Sequence, residues 1–150
     1  MGEHARILVV DDDESIRKVL ATILEEKGYV VDTAENGKEA IEKSKKRFYN
    51  LALLDIRLPD MEGTELLTAM KETTPKMVKI IMTGYPSLKN AIEAVNKGAD
   101  AYILKPLNMD NTLHTIKEHL KNQEQAMKYS EQKVVEFIET RAREFDEKRP

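Results

Sequence analysis

The sequence predicts an α/β protein in which five parallel strands form one sheet covered by helices on both faces. Two observations carry this expectation. Short aliphatic and β-branched runs alternate with longer stretches whose apolar residues recur every three or four positions. The short runs are also nearly continuous in hydrophobicity, as strands buried on both faces must be. Strands that each feed a helix need right-handed crossovers, which makes their pairing parallel.

Each element can be justified in turn. Arg6 to Val10 supplies the first strand, and Ile16, Val19, Leu20, Ile23 and Leu24 share one face of the helix that follows, with Gly28 as its stop. The second strand, "YVVDTA", precedes a helix from about Lys38 to Arg47. A third, "LALLD", precedes a loop and a helix around Leu66, Leu67 and Met70. "VKIIMT" is the fourth strand; Leu88, Ala91, Ile92 and Val95 mark the fourth helix, and Gly98 is its C-cap. "AYILK" is the fifth strand, and Leu113, Ile116 and Leu120 complete a fifth helix. No strand is predicted from Asp110 onward. The three-four spacing continues through Gln123, Met127, Ser130, Val134 and Phe137, a heptad interrupted by two polar residues. Two readings of this extension stand side by side: a solvated helix fraying near Pro150, or an oligomerisation helix that makes the chain a homodimer. The expected organisation is therefore one domain over residues 1–121 and a helical tail over 122–150.

Composition bounds the function. A chain of 150 residues lies in the single-domain range. Its net charge of -3 and pI near 5.7 offer no electrostatic reason to expect nucleic-acid binding. The six basic and seven acidic residues of 122–150 argue against a DNA-binding helix. Without cysteine there is no disulfide framework and no thiolate metal site. "MGEHAR" leads into too short an apolar run for a signal peptide, and no stretch approaches the roughly 20 residues needed to cross a bilayer. A cytoplasmic chain without membrane contact is the expectation.

The first strand runs directly into four acids, "ILVVDDDES". Two unit charges about 5 Å apart repel by roughly 3 kcal/mol at an effective dielectric near 20, so such a cluster calls for a cation. In open parallel sheets, ligands bind beyond the carboxyl ends of the strands where strand order reverses. Asp11 and Asp12 end the first strand, Asp55 the third, Thr83 the fourth and Lys105 the fifth, so all five are expected on one edge. If the first and third strands are neighbours, three carboxylates converge. Carboxylates without histidine or thiol suit a hard cation, and Mg²⁺ is the cofactor expected. Such an ion would also neutralise an arriving phosphoryl group, with Lys105 holding one of its oxygens and Thr83 donating to another.

"ILVVDD", "LALLDIRLPDMEG", "IIMTG" and "AYILKP", in this order, resemble the signatures of response-regulator receiver domains over roughly residues 5 to 121. The resemblance implies the flavodoxin-like strand order 2-1-3-4-5. It implies a two-component signalling function in which Asp55 is the phosphoacceptor, taking a phosphoryl group from a sensor histidine kinase or phosphotransfer protein. Asp12, Asp55 and the backbone carbonyl of Arg57 would coordinate Mg²⁺, with Asp11 assisting through water. Lys105 would contact the phosphoryl group, its bond to Pro106 would be cis, and Thr83 with Tyr102 would form a switch that alters the surface of helix four, strand five and helix five for an unidentified downstream protein. Gly84 is among the small residues accepted after the switch threonine, whereas the "YP" that follows departs from the pattern. Arg57 stands at a position that in the family influences how long the phosphoryl group survives.

Other readings compete with this one. Asp11-x-Asp13 is also the arrangement of haloacid-dehalogenase-like phosphohydrolases, an enzyme class that needs a further acidic pair after the lysine; here "LKPLNMDNTLH" enters the last helix instead. A flavin- or nucleotide-binding module would show a glycine-rich loop after the first strand, and none follows. Asp13 and Glu14 are accounted for by the dipole of the first helix. His114 and His119 are expected as surface residues, and the methionines as core filler.

Overall fold

The computed structural model describes residues 4–147. Its single sheet has the order β2-β1-β3-β4-β5, all neighbours parallel, from β1 (Arg6–Val10), β2 (Val30–Ala34), β3 (Leu51–Asp55), β4 (Val78–Thr83) and β5 (Ala101–Leu104). Between them run α1 (Glu14–Glu26), α2 (Gly37–Lys46), α3 (Gly63–Ala69) and α4 (Leu88–Asn96), and α5 (Met109–Glu147) follows the last strand. Alternation along the strands divides the core in two. Leu8, Val10, Ala52, Leu54 and Ile81 face Ala40 of α2, Leu66 and Leu67 of α3 and Ala94 of α4. Ile7, Val9, Leu51, Leu53, Ile80 and Met82 face Leu20 and Leu24 of α1 and Ile116 of α5. Burial of both faces explains the unbroken apolar strands of the sequence.

Local chemistry sets the element ends. Asp13 is the N-cap of α1, accepting from the N–H groups of Ser15 and Ile16, and Asn36 caps α2 by accepting from Glu39. Gly28 and Gly98 follow α1 and α4 with φ of 93° and 99°, left-handed positions that glycine enters without a Cβ clash. The second strand begins one residue later than expected because the Tyr29 N–H still bonds the Leu24 carbonyl of α1. The fifth ends at Leu104, and α2 spans Gly37–Lys46, one residue earlier at each end than its apolar pattern suggested.

Three sequence expectations change in the folded chain. Leu88, Ile92 and Val95 do mark α4, but on its exposed side; the residue α4 buries is Ala94, whose small side chain lets the helix lie close to the sheet. His119 is not merely a surface residue, since its ring nitrogens lie 3.0 and 3.3 Å from the carbonyl oxygens of Thr115 and Asp100, tying α5 to the turn before β5. Gln123, read as a polar seam residue, serves the domain: its amide donates to the carbonyls of Asn50 and Lys76, both at 2.9 Å. Helix α5 passes residue 121 without a break, and the end of the tail near Pro150 lies outside the described residues.

One buried cation was invisible in the apolar context of "VKIIMT". Lys79 is 7% exposed and donates to the carbonyl of Leu67 at 2.6 Å, near the C-terminus of α3. Burial lowers its ammonium from the usual lysine range. No helix among the described residues is long and apolar enough to cross a membrane.

Candidate functional site

The strand order creates the site. Pairing of β1 with β3 puts Val10 opposite Leu54, so the residues that follow, Asp11 and Asp55, emerge side by side at the carboxyl edge. With Asp12 they bring one carboxylate oxygen each within 4.8 Å of one another. Asp11 is fully buried, Asp55 is 7% exposed and Asp12 faces solvent. The cluster is therefore an acidic floor with one accessible carboxylate at its lip.

Asp11 is held from several directions. Its carboxylate accepts from the Asp13 N–H at 2.9 Å and from Lys105 Nζ at 2.7 Å, while Arg17 Nη1 donates to its backbone carbonyl at 2.7 Å. Lys105 Nζ also stands 3.5 Å from Asp55. Burial alone would lower the Lys105 ammonium, but the hydrogen bond to Asp11 and the charges of Asp11 and Asp55 outweigh it and hold it above its ordinary value. For Asp55 the balance goes the other way. Burial, then repulsion from Asp11, raises its carboxyl to about 6 against partial compensation by Lys105. A single lysine thus leaves the pocket short of positive charge. Three carboxylates with no histidine or thiol match the oxygen-donor preference of Mg²⁺, so the donor set fits that ion.

The loop after β3 is shaped to hold Asp55 in place. Gly63 donates to the Ile56 carbonyl at 2.7 Å, and a Cβ there would overlap the Asp55 carbonyl oxygen, so only glycine fits. Asp60 accepts from the N–H groups of Gly37 and Lys38 at 2.8 and 2.9 Å, which ties the loop to the start of α2 and depresses its carboxyl. Neither Asp60 nor Arg17 was identified from the sequence, because their partners lie on other turns or elements and no local pattern points to them.

The remaining expected residues take definite places. Thr83 is buried at the end of β4, and its hydroxyl accepts from the Tyr85 N–H at 2.9 Å. Gly84 has room for a Cβ, which would meet only Lys105 at an ordinary 3.8 Å. Arg57 lies with its guanidinium 4.3 Å from the centroid of the Tyr85 ring, so the tyrosine of the departing "YP" meets the loop after β3. The Lys105–Pro106 bond is cis. Tyr102 packs against the core layer beneath α4, with its hydroxyl buried and without a hydrogen-bond partner among the described residues. Asp13, the second acid of the rival phosphohydrolase reading, is outside the three-carboxylate cluster and occupied as the α1 cap.

Fold and site together define a doubly wound α/β protein that gathers three carboxylates and a lysine at its topological switch point. Residues 7–117 match the family described as the response regulator receiver domain. The transcriptional regulatory protein ZraR of Klebsiella oxytoca is 42% identical over 119 residues, covering 79% of this chain and 27% of that protein. The regulatory protein AtoC of Escherichia coli K12 is 31% identical over 134 residues, covering 83% of this chain and 29% of its own length. Among solved structures, a CheY-like response regulator receiver domain protein from Methanospirillum hungatei JF-1 shares 50% identity with a TM-score of 0.79, covering 82% of this chain and 98% of that one. The beryllofluoride-activated NtrC4 receiver domain dimer shares 40% identity with a TM-score of 0.74, covering 79% of this chain and 98% of that one. The chain belongs to the response regulator receiver domain family of two-component systems. It spans little more than a quarter of the length of ZraR and AtoC.

Proposed function

We propose that this chain is a phosphorylation-dependent switch whose acceptor is Asp55. The observation that carries the reading is the meeting of Asp11, Asp12 and Asp55 within 4.8 Å beside Lys105. An Asp55 oxygen attacks the phosphorus of a phosphohistidine on a sensor kinase or phosphotransfer protein; the P–O bond forms as the P–N bond breaks, and the electron pair leaves with the protonated imidazole. Asp12, Asp55 and the Arg57 carbonyl would hold Mg²⁺, with Asp11 assisting through water; the bound ion would offset charge between acceptor and incoming phosphoryl oxygens. Lys105, already 2.7 Å from Asp11 and 3.5 Å from Asp55, is placed to hold a phosphoryl oxygen as a point charge.

Phosphorylation then biases a two-state element. Thr83 gives up its bond from the Tyr85 N–H and donates to a phosphoryl oxygen, which frees the segment leading into α4. Tyr102 already lies inward with an unbonded hydroxyl, so its part in the switch is a shift in population rather than the creation of a new position. The exposed Leu88, Ile92 and Val95 of α4 and Leu104 of β5 give that face the apolar character of a protein-contact surface. Output through a downstream protein follows from this, without direct nucleic-acid contact by the segment. Exposure to acetyl phosphate with Mg²⁺ tests the reading by mass spectrometry. A gain of one phosphoryl group, lost in Asp55→Asn, is expected; a gain that survives the substitution overturns the assignment.

A further inference from the structure

The apolar face that seats α5 on the sheet does not stop where the sheet does. Leu113, Ile116 and Leu120 pack in the core layer shared with α1, and Met127 lies at the domain edge. At helical spacing the same face continues through Glu131, Val134, Ile138 and Arg141. Val134 and Ile138 are 57% and 59% exposed, and Val135 and Phe137 flank them, also exposed. Taking Ile138 with Val134 as seam neighbours gives a 4-3 spacing over 127, 131, 134, 138 and 141, which differs from the frame through Ser130 and Phe137 that the heptad pattern suggested. In this frame two charged residues, Glu131 and Arg141, occupy the seam.

Those two charges choose the occupant. In a parallel pair of tails each seam residue meets its own copy, so Glu131 would face Glu131 and Arg141 would face Arg141. In an antiparallel pair centred at the level of Glu136, Val134 meets Ile138 of the second copy, Glu131 meets Arg141 of the second copy, and two-fold symmetry repeats both contacts. Like-charge repulsion becomes two opposite-charge pairs that bracket an aliphatic centre. The present bonds of Arg141, to Glu144 at 3.4 Å and over the Phe137 ring, are exposed and within its own helix, so they can rearrange readily. Geometry permits the pairing as well. Gln123, which hydrogen-bonds the domain, is about 20 Å along the helix from Glu136 at 1.5 Å per residue, so the two domains stand at opposite ends of the paired segment.

We propose that residues 127–145 form an antiparallel homodimer seam with the same segment of a second copy. The proposal does not depend on phosphorylation of Asp55, and its test needs no phosphodonor. Sedimentation of the full chain should show a monomer–dimer equilibrium. Glu131→Arg and Arg141→Glu should each weaken it at least tenfold. The double exchange should restore it, since the two swapped side chains would again meet across the seam with opposite charge. Circular dichroism of each variant separates lost association from a lost helix. The chain has no cysteine, so a spin label on Gln125→Cys reports orientation. The antiparallel pair places the two labels about 33 Å apart along the axis, whereas a parallel pair places them within about 20 Å. A monomer at all accessible concentrations, a double variant no better than the singles, or the short distance overturns the proposal.

Discussion

The acidic rim and the far half of α5 are both incomplete, but in opposite currencies. At the rim, Asp11 and Asp55 are buried with Lys105 as their close side-chain cation, and burial first, then the charge of Asp11, raises the carboxyl of Asp55. Beyond Met127 cations have close acidic partners, as in Lys133–Glu136 and Arg141–Glu144, while aliphatic surface stands open. On the proposed reading the two regions receive different things: the charged edge a small ion or a phosphoryl group, and the apolar stretch of helix a second helix.

Four measurements sharpen that contrast, taken from the largest effect to the smallest. Ile116 is fully buried, so Ile116→Ala should lower unfolding stability by about 2–5 kcal/mol in urea titration. Asp55→Asn should have the reverse sign in metal-free protein. Because burial raises the folded carboxyl to about 6, above the ordinary carboxylate range, the native state holds the proton more tightly, and stability falls as pH rises through that window. Removing the charge should therefore add about 1–3 kcal/mol at pH 7 and nothing below about pH 4, which paired denaturation curves at the two pH values would read. An absence of pH dependence in that difference would mean that burial and the neighbouring Asp11 do not raise the Asp55 carboxyl.

Mg²⁺ at ten times its dissociation constant should then stabilise the unsubstituted chain by about 1.4 kcal/mol, and most of that shift should vanish in Asp12→Asn. A thermal shift equal in both would remove Asp12 from the ligand set. The smallest effect belongs to the tail. Val134→Ala, on the same helix as Ile116 but outside the domain, should change the stability of the monomeric chain by less than about 0.5 kcal/mol while weakening association. A loss comparable to that of Ile116→Ala would show that the tail folds against the domain after all.

The acids show how far sequence reasoning reached into the site. Asp11, Asp12, Asp55, Thr83 and Lys105 were legible because each ends a strand or follows one within two residues, and parallel strands deliver their carboxyl ends to one edge whatever the loops do. Asp60 and Arg17 were not, since a capping bond across 23 residues leaves no periodic trace and a side chain reaching back to the Asp11 carbonyl follows no apolar period. The heptad in α5 was legible as a pattern but not as a set of partners. Gln123 turned out to bond the domain, and the exposed stripe of α4 turned out to face solvent, because periodicity identifies a face without saying what lies opposite it.

By itself the sequence determined the parallel α/β class, the positions of the strands and the edge at which charged side chains gather. Those follow from alternation and period, which are properties of short stretches of chain. Only the tertiary structure decided that Asp11 is buried while Asp12 is exposed, that Lys105 bonds Asp11 more closely than Asp55, and that α5 leaves the domain just past Gln123. Burial and partner distance depend on residues far apart in the chain, and packing alone sets them.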